Sequence, residues 1–210
     1  MPRVRNQRPT NVDYYRRNRW REIFRVRVRQ VGTVEMLREM RAMPCADCGA
    51  RFEPHQMDFD HRDPSTKGFH LMSGRASLKS KSVLLAEAAK CDVVCANCHA
   101  VRTQHSWKQH RPPGNSRYLE RKRRYWRGHA QALLELRSAP CHDCHRTYSP
   151  FSMEFDHRDP ATKTQEVTRM VGRANLQRIM SEVAKCDVVC ANCHRMRTFR
   201  RRESAHFERE

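Results

Sequence analysis

From Met57 to His61 the chain alternates. Met57, Phe59 and His61 fall on one side, Asp58 and Asp60 on the other. Period-two alternation of this length predicts a short strand, closed as a turn by Arg62-Asp63-Pro64. The same phrase returns at Met153 to His157, followed by Arg158-Asp159-Pro160. Elsewhere the apolar spacing is helical. Val34, Leu37 and Met40 predict a helix over 33–42 with Pro44 as its stop, and 130–138, ended by Pro140, is its counterpart. Further helices are predicted over 83–90 and 176–185. A third in each copy opens near Asn97 or its mate Asn192 and carries His99 and Arg102 on one face, three residues apart. Residues 1–30 are rich in Arg with Tyr14, Tyr15, Trp20 and Phe24 between them. Arg25-Val26-Arg27-Val28-Arg29 alternates like a strand, although part of this arm also suits a helix.

The elements therefore occur twice. Lys90-Cys91-Asp92-Val93-Val94-Cys95-Ala96-Asn97-Cys98-His99 recurs without change at Lys185 to His194. Lys67 and Lys163 stand at equal offsets beyond the turn, and Gly74-Arg75-Ala76 is matched by Gly172-Arg173-Ala174. The copies differ in length around the latter, as surface loops permit. The expected organisation is a basic arm (1–32), a first module (33–108), a basic linker (109–128), a second module (129–202) and a tail (203–210). The linker contains Pro112-Pro113-Gly114 and Arg121-Lys122-Arg123-Arg124.

Composition limits what such modules can bury. Hydrophobic residues are 38% of the 210 positions and charged residues 31%, so neither half can build a large apolar core. Domains this small need a staple. Ten cysteines can supply one. No apolar run follows Met1-Pro2-Arg3-Val4-Arg5 and no long apolar stretch occurs, so a cytoplasmic chain without a membrane span is expected. In that compartment CxxC pairs read as zinc ligands rather than disulfides. Cys45, Cys48, Cys95 and Cys98 form one expected four-thiolate Zn²⁺ site, and Cys141, Cys144, Cys190 and Cys193 the other. Such sites are closed and structural, and zinc of this type supplies roughly 10 kcal/mol of folding free energy. Cys91 and Cys186 are left over. They read as core thiols at a helix end, against a competing register that uses them as ligands. His142 and His145 flank the knuckle in the second copy only.

The formal net charge of +19 points to a polyanion, with nucleic acid the usual one. Arg62, Lys67, Arg75 and Arg102, with Arg158, Lys163, Arg173 and Arg197, are candidates for phosphate contact. Plain surface solvation is the alternative for each. The three tryptophans, Trp20, Trp107 and Trp126, suit either base stacking or packing against the modules.

A Cys knuckle, then Asp-His-x-x-Pro, then CxxC-His opening a helix resembles the HNH endonucleases of the ββα-metal fold. The ending Lys-Cys-x-Val-x-Cys-x-Asn-Cys-His resembles a bacterial and phage subgroup of them. The likeness covers 45–103 and 141–198. It implies an α+β chain of two tandem zinc-stapled ββα-metal modules behind a basic arm, and a metal-dependent hydrolase that cuts DNA, double-stranded by expectation. By position it implies His61 and His157 as general bases. Asp60 with His99, and Asp156 with His194, become the ligands of a catalytic divalent cation such as Mg²⁺ or Mn²⁺. The residue types suit that chemistry: imidazole takes a proton near neutral pH, and hard cations favour carboxylates while tolerating imidazole. Strand alternation places Asp60 and His61 on opposite faces, so a local bend is expected to bring both to one phosphate. In one respect the chain departs from the family: the middle asparagine, which braces the loop aiming the base, is replaced by Lys90 and Lys185. Four alternatives stand beside two cutting modules. The Asp-His pair can be an aspartate orienting a structural histidine, His99 and His194 can back the zinc from a second layer, the chain can be a zinc module that binds nucleic acid without cutting it, and it can be divided, one copy catalytic and one only binding, although nothing in the motif separates the copies.

Overall fold

The computed structural model describes residues 11–73, 76–109 and 117–207. It is α+β, with seven α-helices and two small antiparallel two-stranded sheets among the described residues. The chain gathers into two compact units, Met1–Arg41 with His61–Asp92, and Ala42–Asp60 with Val93–Glu210. The unit boundary therefore runs through the expected first module, whereas the whole of 129–202 belongs to the second unit.

In the first unit the longest element is α1 (Asn11–Met40), a single helix where an arm and a short helix were expected. The Arg25-to-Arg29 alternation is helical, not extended. A strand needs a neighbour to satisfy its backbone, whereas a helix satisfies its own. Arginine is also a good helix former, and Arg25–Glu22 and Arg38–Glu35 pair one turn apart. Only Thr33 and Leu37 are buried along its last turns, followed four residues on by Arg41 just past its end. Trp20 is 79% exposed, so it does not pack as a core residue. The unit also holds a 3₁₀ turn at Pro64–Thr66, a second at Ala76–Leu78 that packs on α1, and α2 (Lys81–Ala88). Asp63 accepts from the Ser65 amide to shape the first turn, and Ser80 caps α2 through the Val83 amide. Leu71, Ala76, Leu84 and Ala88 supply its small core.

Most of the repeated frame lies in the second unit, although His61, Cys91 and Asp92 belong to the first. Strand β1 (Met57–His61) pairs with β2 (Cys91–Cys95), and helix α3 (Ala96–Gln109) follows at once. After α4 (Arg117–Leu136) come β3 (Met153–His157), α5 (Val167–Met170), α6 (Leu176–Val183), β4 (Cys186–Cys190) and α7 (Ala191–Phe207). β3 and β4 run antiparallel, with Met153 opposite Cys190, Asp156 opposite Asp187 and His157 opposite Cys186. α4 occupies 117–128 of the expected linker, and α7 runs through the expected tail boundary. The side chains of the 121–124 run, Trp107 and Trp126 lie outside the described residues. β2 and β4 are strands that the sequence reading did not foresee.

Burial is local and small. Cys45, Met57, Val94 and Cys95 form one cluster, and Cys141, Met153, Val189 and Cys190 its mate. Leu133, Val167, Met170, Ile179 and Cys186 form a third. Cys45, Cys95, Cys141 and Cys190 thus sit inside the apolar nuclei, with Cys98, Cys144 and Cys193 packed against them.

The two copies meet within this unit through the first turns of α3 and α7. The Asn97 amide donates to Asn192 Oδ1 at 3.3 Å, and the Asn192 amide donates to Asn97 Oδ1 at 3.1 Å. Helix N-termini carry unpaired N–H groups; here each copy satisfies the other's. Gln56 Nε2 adds a bond to the Asn192 carbonyl, and the His55 ring stacks on Phe199 at 4.2 Å.

Candidate active site

The eight CxxC cysteines converge as expected. Cys45, Cys48, Cys95 and Cys98 place their sulfurs within 4.8 Å of one another, as do Cys141, Cys144, Cys190 and Cys193. One tetrahedral zinc, with ligand distances of about 2.3 Å, fits each set. Backbone supports the thiolates: the Cys95 amide donates to Cys45 Sγ and the Cys190 amide to Cys141 Sγ, each at 3.2 Å. The knuckle turn has a left-handed residue after its second cysteine, Gly49 in one copy and His145 (φ 58) in the other. Cys91 and Cys186 stand outside both sets. Their thiols donate to the Glu87 and Glu182 carbonyls, and burial pushes the Cys186 thiol up to about 11.

In the second copy the residues expected to act on a phosphodiester line one cavity of about 620 Å³. Its walls include Asp156, His157, Lys163, His194 and Arg201. Asp156 and His157 both reach it, although they are neighbours on one strand. His157 is held from behind. Its Nε2 lies 2.8 Å from Glu182 Oε1, and the two side chains are 6% and 4% exposed. Glu182 Oε1 also accepts from the Thr164 amide at 2.7 Å and the Gln165 amide at 3.3 Å, while Oε2 takes Lys185 Nζ at 2.7 Å. Burial would raise the Glu182 carboxyl, but these donors hold it well below its usual range. A carboxylate at Nε2 fixes the proton there and leaves Nδ1 with its lone pair. Nδ1 makes no hydrogen bond among the described residues.

This arrangement accounts for the lysine at the expected asparagine position. Lys185 Nζ also binds the Thr162 carbonyl and Thr164 Oγ1, so glutamate and lysine together hold the loop after the Asp-Pro turn. The first copy repeats the device within its own unit. His61 Nε2 lies 2.9 Å from Glu87 Oε1, the Gly68 and Phe69 amides donate to that same oxygen, and Lys90 Nζ reaches Glu87 Oε2 and the Thr66 carbonyl.

Each closing histidine faces its expected carboxylate. His99 Nε2 is 3.6 Å from Asp60 Oδ1, and His194 Nε2 is 3.4 Å from Asp156 Oδ1. One hard cation, with ligand distances of about 2.1 Å, can touch both atoms of such a pair. The other ring nitrogen is also taken. His99 Nδ1 lies 2.7 Å from Asp58 Oδ2, and His194 Nδ1 contacts Glu154. Hydrogen bonds to Asp156 and Glu154 lift His194 to about 9, and the Asp58 bond raises His99. Burial opposes ionisation of Asp156, yet bonds from His194, Arg201 and Arg197 hold it well below the carboxylate range.

The expected phosphate contacts divide. Arg62 and Arg158 donate to the carbonyls of Cys91 and Cys186 and to the carboxylates of Asp92 and Asp187, with their side chains still 54% exposed. Arg102 pairs with Asp47 and Asp60. Arg197 bridges Asp143, Asp156 and Asp187, which neutralises the two aspartates that β3 and β4 place opposite one another. Lys67 and Arg173 are exposed, and exposed Lys163, on the cavity wall, pairs loosely with Glu166 at 3.4 Å. Arg75 lies outside the described residues. Several site groups were not foreseen. Besides Glu87 and Glu182 they are Asp58, Glu154, Arg195 and Arg201, together with Arg137, which stacks over Phe155 on the cavity wall. A signal did exist for the glutamates, because each stands three residues before its lysine on a predicted helix. The arginines carried no such mark.

Among the described residues no helix is long and apolar enough to cross a membrane. No family model matches the chain, and no curated protein or solved structure matches it.

Proposed function

We propose that the chain is a metal-dependent DNA endonuclease of HNH type. The observation that carries the reading is a constellation present twice: a histidine oriented by a buried glutamate, His61 by Glu87 and His157 by Glu182, and an aspartate facing the closing histidine, Asp60 with His99 and Asp156 with His194. Asp156 with His194, and Asp60 with His99, are the groups that would hold the cation. When bound it would neutralise charge on the phosphate and leaving oxygen. His157 Nδ1, and by the repeat His61 Nδ1, takes a proton from water. The water oxygen attacks phosphorus, the bond to the 3′ oxygen breaks, and that oxygen is protonated. The ends are a 5′-phosphate and a 3′-hydroxyl. Lys163, Arg137 and Arg201 give the cavity a basic wall for the phosphate. The four-thiolate sites hold structural zinc.

The test is nicking of supercoiled plasmid with Mg²⁺ or Mn²⁺ by wild type, His61→Ala, His157→Ala and the double variant. Loss of cleavage in the double variant is expected, and cleavage that persists there removes the assigned bases. One observation favours a second reading, a zinc module that binds nucleic acid without cutting it: the His157 side chain is only 6% exposed. Salt-sensitive DNA binding with no cleavage under either metal would select that reading.

A further inference from the structure

The two pairs of an aspartate with its closing histidine, Asp60 with His99 and Asp156 with His194, carry the same motif but not the same neighbours. In the second copy Arg201, from the third turn of α7, lays its guanidinium across Asp156. Nη1 reaches Oδ1 at 2.9 Å, Nη2 reaches Oδ2 at 2.8 Å, and Nη2 also binds the His157 carbonyl at 3.1 Å. Oδ1 is the atom that faces His194. Arg197 takes Oδ2 as well, at 3.0 Å. Both oxygens of Asp156 are thus engaged by cations, and its side chain is 5% exposed.

In the first copy Asp60 Oδ2 takes Arg102 at 3.1 Å, while Oδ1 faces His99. Among the described residues no second guanidinium reaches Asp60, and its side chain is 23% exposed. The sequence explains the difference. Ser106 stands at the position equivalent to Arg201, four residues after Arg102 as Arg201 follows Arg197.

A guanidinium fork on a carboxylate is a strong, directional pair. A divalent cation at Asp156 would have to displace it or sit against its charge. We infer that Arg201 closes the second site to divalent cations, so that Asp60 and His99 are the metal-binding pair and the second copy grips a phosphodiester without cutting it. This inference rests on the nuclease reading and narrows it: of the two pairs named there for the cation, only Asp60 with His99 holds it, and a chain with one metal-bearing copy makes one cut per binding event.

The experiment is Mn²⁺ binding to the full zinc-loaded chain, followed by the electron paramagnetic resonance signal of free Mn²⁺. Zinc content and helical circular dichroism serve as the check that each variant is folded. Wild type is expected to bind one Mn²⁺ per chain. Asp156→Asn leaves that ion in place, Asp60→Asn removes it, and Arg201→Ser adds a second. Two ions on wild type, one lost with each aspartate, overturn the division of labour while leaving the nuclease reading intact. One ion on wild type that Asp156→Asn removes assigns the pairs the wrong way round. Failure of Arg201→Ser to gain an ion, with its zinc content unchanged, refutes the role given to Arg201. No Mn²⁺ on wild type or on Arg201→Ser sinks both this inference and the metal-dependent reading beneath it.

Discussion

Removing the Glu182 carboxylate tests whether the glutamate-lysine brace holds the loop beside the cavity. In Glu182→Ala the Thr164 and Gln165 amides and His157 Nε2 lose their shared acceptor, and Lys185 loses its ion partner. Each buried donor left without a partner costs about 1–3 kcal/mol. The loop is partly open to water, which satisfies some of them, so the expected loss is about 4 kcal/mol. Glu182→Gln keeps an oxygen for the amides and His157 but turns an NH₂ toward Lys185, and about 2 kcal/mol is expected. Urea unfolding of the zinc-loaded protein measures both. Hydrogen exchange at Thr164 and Gln165 locates the effect. The acid limb gives an independent check. Because Glu182 is held below the 4.5 of a free glutamate, its contribution is complete above that pH and is lost as pH falls further. Glu182→Gln should flatten that limb. A Glu182→Ala protein within about 1 kcal/mol of wild type, with unchanged exchange at Thr164, would refute the brace.

Chelating zinc, or changing Cys45 or Cys141 to Ser, should unfold the nuclei that contain those cysteines, read as lost helical circular dichroism, because roughly 10 kcal/mol per site is withdrawn. His145→Gly should stabilise the protein by about 1 kcal/mol, since His145 adopts a left-handed backbone that Gly49 supplies in the other copy; thermal melting decides it. Arg195→Ala should raise the pKa of Asp58 measured by NMR. Burial favours its neutral form, yet His99 and Arg195 hold it at about 2 rather than 3.8, a shift equivalent to about 2 kcal/mol. Part of that stability, present above pH 4, should vanish in the variant, and the two proteins should converge as pH falls toward 2.

The strands bearing the Asp-His phrase were legible because they alternate and end in Asp-Pro. The thiolate sets were legible because CxxC spacing is stiff. β2 and β4 were missed because Cys-Asp-Val-Val-Cys is short and lies between a helix end and a knuckle, where periodicity has no room to declare itself. Charge concealed α1 and α4. An Arg-rich stretch looks like an arm or linker until its backbone is required to satisfy itself. Arg62, Arg102, Arg158 and Arg197 are candidates for phosphate contact, and their pairing with aspartates elsewhere in the chain, Asp47, Asp92, Asp143 and Asp187 among them, could not be read from spacing. The meeting of the copies through Asn97 and Asn192 was invisible for the same reason. Identical residues in two copies reveal a repeat, not that the repeats touch.

That reciprocal asparagine contact has the form of a two-fold interface, in which one residue meets its own equivalent. Two separate subunits could be joined this way, but any substitution would then appear on both sides of the axis. Covalent linkage replaces their concentration dependence with an effective concentration set by the connecting chain. It also frees each side to change alone. Arg195 salt-bridges Asp58 across the contact, while Ala100 stands at the equivalent position opposite Glu154. Arg201 stands where the other copy has Ser106. Such one-sided pairs are closed to a symmetric dimer. They are what joining the halves makes possible: a shared scaffold whose two sites can specialise without disturbing the contact that holds them together.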